Sequence, residues 1–146
     1  MIDELRERIR AQYRPDFDFT TVADVPFTAV SNSPSRVALI STAGLHLDDQ
    51  EPFDRSTVSG DSSYRRVSVD DDLTRLHIAW DVDRHQPASQ DVNCAFPLAL
   101  LRELRGVAET HYSFSGAIPD PRPLVEETAP ALVDELDADA VIIAPS

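Results

Sequence analysis

Two short apolar runs constrain this chain more than anything else in it: "RVALIST" at 36–42 and "AVII" at 140–143. Both are rich in β-branched or bulky aliphatic residues and too short to lay a helical stripe on a core, and neither alternates as a strand with one wet face does. Runs of this kind form strands covered on both sides, as in the parallel sheets of α/β proteins. Sites in such sheets are built just past the carboxyl ends of the strands. Only Ala144, Pro145 and Ser146 follow the second run, so the sequence stops where its chemistry is expected to start.

What lies around and between the runs supports one α/β unit. Leu5, Ile9 and Tyr13 recur every four residues among charges and predict a short amphipathic helix, which Pro15 ends. Phe17, Phe19, Val22, Val25 and Phe27 are interrupted by prolines and read as an irregular arm, with a turn at 32–35. The expected organisation is an N-terminal helix and arm over 1–35, packed on a core domain over 36–146. A long polar loop follows the first run. Asp70, Asp71 and Asp72 then offer a cap before "LTRLHIAW" (73–80), which predicts a second strand. After another polar loop at 81–93, Pro97 opens a predicted helix with a Leu98, Leu101, Leu104 stripe, ended by Gly106. "HYSFSGAIPDPRP" reads as a third loop, and the helix after it should kink at Pro130. The expected fold is a mainly parallel sheet with flanking helices, Rossmann-like or flavodoxin-like and incomplete at its C-terminus, with the three loops gathered near one edge.

Composition narrows the partners. The 26 acidic residues face 13 basic ones, all of them Arg, for a net charge of −13. Phosphate backbones and anionic membranes are repelled by such a surface, so neither nucleic acid nor membrane is expected as a partner. An acidic excess dominated by Asp suits concentrated salt, where screening shortens to roughly 3 Å at 1 M. No run approaches the roughly 20 apolar residues of a membrane span, and the charged N-terminus is unlike a signal peptide, which predicts a cytoplasmic protein. Cys94 is the single cysteine, which leaves no internal disulfide and no cysteine zinc site.

Five blocks carry a resemblance: "RVALISTAGLHLDDQEPFD" (36–54), "GDSSYRRV" (60–67), "QDVNCAFPLALLREL" (90–104), "HYSFSGAIPDPRPL" (111–124) and "DADAVIIAPS" (137–146). In content and order they resemble the selenoprotein B family of glycine, sarcosine, betaine and D-proline reductases. The resemblance implies an oxidoreductase in which a selenocysteine, or a cysteine in its place, attacks an activated substrate and a neighbouring cysteine resolves the adduct. It places that redox residue directly after the strand that here reads "AVIIAP". A selenol there, at a strand end and a helix N-terminus, would have a lowered pKa. Two expectations stand side by side: a UGA codon read as a stop just before a selenocysteine, or a shortened relative without a redox centre. In either case these 146 residues are expected to hold no catalytic nucleophile and no cofactor. The stretch before His111 is shorter than in the family, and "AWDVDRHQPASQD" is individual to this chain.

The candidate substrate-binding residues are His46, Asp91, Asn93, His111 and Ser113. His46 follows the first strand, where an imidazole can bind substrate or carry a proton near neutral pH, or simply cap backbone groups. His111 stands similarly, with Tyr112 and Ser113 as hydrogen-bonding neighbours. Asp91 and Asn93 either face substrate or anchor their loop through side-chain to backbone bonds, anchoring being the simpler role. His77 reads as a core-edge residue of its strand, and Cys94 as a small buried apolar residue. Asp81, Asp83 and His85 alternate as metal ligands can, yet in so acidic a chain they read as solvated surface, and no metal site is assigned. The sequence contains neither a phosphate-binding glycine-rich loop nor a Gly-x-Ser-x-Gly elbow. Expected partners are a small-molecule substrate, other reductase components, or a second copy meeting this one through the C-terminal strand. A non-catalytic binding or assembly protein on the same scaffold is the alternative reading, and a metal enzyme using His46, His111 and the Asp-rich loops is a third.

Overall fold

A computed structural model describes residues 2–12, 34–79, 90–104 and 106–145. Helix α1 spans Ile2–Gln12, with Asp3 and Glu4 in its first turn and Arg10 in its last, each sign complementing the helix dipole. The arm, the Asp81, Asp83 and His85 segment, and most of the loop containing it lie outside the described residues.

Among the described residues the main sheet has four strands in the order β3-β5-β1-β6. Strand β1 is Val37–Ser41, β3 Tyr64–Ser68, β5 Thr110–Phe114 and β6 Ala140–Ala144. The pairings of β1 with β5 and with β6 are parallel, and β3 runs antiparallel along β5. A separate two-stranded antiparallel sheet joins β2 (Leu45–Leu47) to β4 (Leu76–Ile78). The α/β class and the mostly parallel sheet therefore agree with the sequence reading, and the architecture is compatible with a Rossmann-like or flavodoxin-like fold.

Several elements differ from expectation. "HYSF" is not a loop but most of β5, one of the two interior strands, and "YRRV" lies in β3 rather than in the long loop. The strand expected over 73–80 is shorter and belongs to the small sheet; Leu73–Arg75 form a 3-10 turn capped by Asp72, whose carboxylate accepts from Thr74 N–H at 3.0 Å. Helix α2 stops after one turn, Leu98–Leu101, so Leu98 and Leu101 are buried while Leu104 is exposed. The last helical segment behaves as Pro130 requires. Proline has no N–H to donate, and just before it the bonding widens: Ala129 N–H reaches Leu124 C=O across a π-turn over Leu124–Thr128, and helix α3, Ala129–Glu135, continues from there.

Two apolar clusters cover the sheet. On one face Leu39, Leu45, Val67, Phe96, Leu98 and Leu101 pack together; on the other, Tyr112 and Phe114 pack against Leu132 of α3. The chain leaving β1 enters the first cluster through Ala43 and Leu45, whereas the chain leaving β5 joins the second through Leu124. Neighbouring parallel strands thus send their continuations to opposite faces, the arrangement that opens a crevice at carboxyl ends in α/β sheets.

Candidate functional site at the carboxyl edge of the sheet

Four chain segments meet at this edge. Gly44 makes the turn from β1 into β2 with φ 68°, a conformation glycine adopts at little cost, and its N–H donates to Phe114 C=O at 2.8 Å. Ser41 at the end of β1 donates its hydroxyl to Ala95 C=O at 2.8 Å, which ties the Val92–Cys94 turn to the strand. Thr42 N–H reaches Ala144 C=O of β6 at 3.3 Å. The fourth segment is the loop before β3. There a Cβ added to Gly60 (φ +80°) would lie 2.6 Å from Ala117 C=O, so the 54–63 and 115–122 loops touch backbone to backbone.

The 54–63 loop is held by its own carboxylates. Asp54 accepts from Ser56 N–H and from the Ser56 and Thr57 hydroxyls, and these bonds hold its pKa down at about 2. Asp61 accepts from Asp54 N–H at 2.8 Å and from Ser63. Between the two loops lies an open groove of about 590 Å³ lined by Thr57, Val58, Ser59, Pro119, Asp120 and Arg122. Its cation and anion are committed to each other: Arg122 Nε and Nη2 donate to Asp120 at 2.9 and 2.6 Å, holding that carboxyl at about 2.

The five candidate residues do not converge on this groove. Ser113 is fully buried and its hydroxyl accepts from Leu45 N–H at 2.7 Å, which closes the crevice between β1 and β5 from within. His111 is also fully buried, at a place where the β1–β5 ladder opens. Val37 bridges Val107 and Ile40 pairs with Tyr112, so β5 carries more residues than β1 over the same span. His111 fills the gap: its Nδ1 accepts from Leu39 N–H at 3.0 Å, which places the neutral ring's proton on Nε2. Burial first, and then the Arg102 charge, push its pKa down to about 4, so the ring is neutral at pH 7. His111 Nε2, like Arg102 Nε, has no hydrogen-bond partner among the described residues.

Asp91 caps the turn that follows it, accepting from Asn93 N–H and Nδ2 at 2.9 Å each, so this pair anchors its own loop. His46 sits in β2 opposite His77, half-buried, with its ring centre 5.8 Å from that of His77. It is not brought together with His111 as a metal enzyme would need, and among the described residues no group of three or more His, Cys, Asp or Glu is arranged to hold a metal ion.

Cys94 is a correction. The reading as a buried apolar residue fails because the Asp91-capped turn directs Val92 inward against the core and leaves Cys94 exposed. It stands next to Ala95, hence beside the ends of β1 and β6, a position sequence spacing does not reveal. The Gly60 contact was equally hidden, although two adjoining Asp-Ser/Thr turns flanking a glycine are a visible sign of a built loop.

No family model matches the chain, and no curated protein or solved structure matches it. Among the described residues no helix is long and apolar enough to cross a membrane.

Proposed function

We propose that this chain is the substrate-facing α/β domain of a reductase component B-like protein, of the type that cleaves glycine, betaine, sarcosine or D-proline substrates reductively with a thiol or selenol. One observation supports the reading most: the five sequence blocks of the resemblance, scattered over residues 36–146, come together at one edge. The end of β1, Gly60 against Ala117, Ala95 against Ser41, and Ala144 beside Thr42 all lie there. In this reading the nucleophile belongs just past β6, and the surrounding loops hold substrate. His111 and Ser113 act from beneath, keeping β1 and β2 in place through Leu39 and Leu45.

The test is the polypeptide purified from its native cells. Selenium, or an additional cysteine, in a chain heavier than 16.2 kDa, together with dithiol-dependent reduction of one of the four substrates, is the expected outcome. A native mass of 16.2 kDa with no turnover overturns it.

A second reading, a non-catalytic assembly protein, is favoured by the exposed apolar edge of β6, where Val141, Ile142 and Ile143 are 37, 44 and 65% exposed. Contiguous apolar surface on an edge strand is what subunit pairing uses. Light scattering distinguishes a concentration-dependent dimer from a monomer.

A further inference from the structure

The β2–β4 sheet carries two histidines that stand away from the groove, His46 among the substrate-binding candidates and His77 outside them. His46 and His77 are directly opposed across an antiparallel ladder. The bonds Asp48 N–H to Arg75 C=O and Ala79 N–H to Gly44 C=O, two residues away on either side, mark this as a hydrogen-bonded pair, whose side chains rise from the same face. Their ring centres are 5.8 Å apart with the planes tilted by 40°. Rings at that spacing can each set a nitrogen about 2.0–2.1 Å from a shared ion. We propose that His46 and His77 form a two-imidazole clamp for a first-row divalent transition-metal ion, with water completing its coordination.

The surroundings select the ion class. Nδ1 of His46 is buried and makes no hydrogen bond among the described residues, so that nitrogen is not committed elsewhere. His77 is exposed, which gives water and metal access. Asp48, two residues from His46, and the adjoining Asp49 are taken by Arg75, so the clamp presents nitrogen rather than oxygen and favours copper, nickel or zinc over magnesium or calcium. Burial lowers the His46 pKa most, against the Gly44 carbonyl, and the charges facing it from His77 and Arg65 add to the lowering. Among the described residues two fixed cations lie near the pair, Arg75, held by Asp48 and Asp49, and Arg65. The Arg65 charge is offset by Asp61 at 3.7 Å, and its guanidinium lies over the Phe53 ring at 4.2 Å. The net charge of −13 draws cations toward the surface. A bound ion would tie β2, which leaves the carboxyl edge through Gly44, to β4. This inference is independent of the reductase reading, since neither histidine belongs to the edge described above.

The experiment is calorimetric titration of the full chain with Cu2+, Zn2+ and Mg2+ at pH 7.5, with Cu2+ electron paramagnetic resonance. One equivalent of Cu2+ bound through two nitrogens is expected, with no heat from Mg2+. His77→Ala, at an exposed position, should weaken Cu2+ binding at least about tenfold and remove one nitrogen coupling. His46→Ala should act likewise, and circular dichroism checks that it folds. Binding unchanged in His77→Ala, oxygen-only coordination, or no binding at all overturns the clamp.

Discussion

Strands β1 and β6 read almost alike, VALIS and AVIIA, and lie hydrogen-bonded in register, yet their fates are opposite. Leu39 pairs with Ile142 and is 1% exposed; Ile142 is 44% exposed. The difference teaches that composition selects a strand while position in the sheet decides its burial. β1 has neighbours on both sides and the Phe96, Leu98 and Leu101 cluster over one face, whereas β6 is the edge.

Truncating the paired residues should separate the strands most. Leu39→Ala removes a fully buried side chain and is expected to cost about 2–5 kcal/mol in denaturant unfolding, against about 1 kcal/mol or less for Ile142→Ala. Equal losses would mean that β6 is covered in solution.

The next contrast lies at His111, where β1 leans on a side chain instead of a strand. Its folded pKa of about 4 is depressed from 6.5, so protonation favours the unfolded chain. The stability it confers is complete above about pH 6.5 and is lost as pH falls toward 4, on the order of 3 kcal/mol. Asp54 and Asp120, held at about 2, act in a lower window: their contribution is present above pH 4 and is lost as pH falls through 2. His111→Asn, whose amide oxygen can still accept from Leu39 N–H, should flatten the slope between pH 6.5 and 4 and leave the lower one. His111→Leu should in addition cost about 1–3 kcal/mol at pH 7, because Leu39 N–H is left buried without an acceptor. A slope that survives in His111→Asn assigns the titration to another group.

The smallest effect is expected at the edge itself. Ile143→Lys, at 65% exposure, should change stability by no more than about 0.5 kcal/mol and abolish any concentration-dependent dimer seen by light scattering. A large loss of stability would show that Ile143 is packed.

Much of the frame was legible because it rests on local chemistry. The two apolar runs, the α1 periodicity, the Asp72 cap and the Pro130 disruption each follow from neighbours in sequence. β5 was not legible. "THYSF" lacks an apolar run because His111 and Ser113 face the core, where His111 Nδ1 and the Ser113 hydroxyl accept from the backbone N–H groups of Leu39 and Leu45, far away in the chain. β3 hid for a related reason: Val67 is its one fully buried side chain, and Arg65 and Arg66 are neutralised by Asp61 and Glu135. The candidate site residues were chosen by type and loop position, and those properties do not say whether a polar atom faces a groove or a backbone amide.

The sequence by itself determined the class of the fold, the identity of two parallel strands, and a net charge of −13. Only the tertiary structure decided which strands are interior, that His46 stands opposite His77 rather than beside His111, and that Cys94 is exposed at the carboxyl edge. The physical reason is range: helix periods, caps and proline effects act within a few residues, whereas burial and hydrogen-bond satisfaction depend on groups that meet only when the sheet closes.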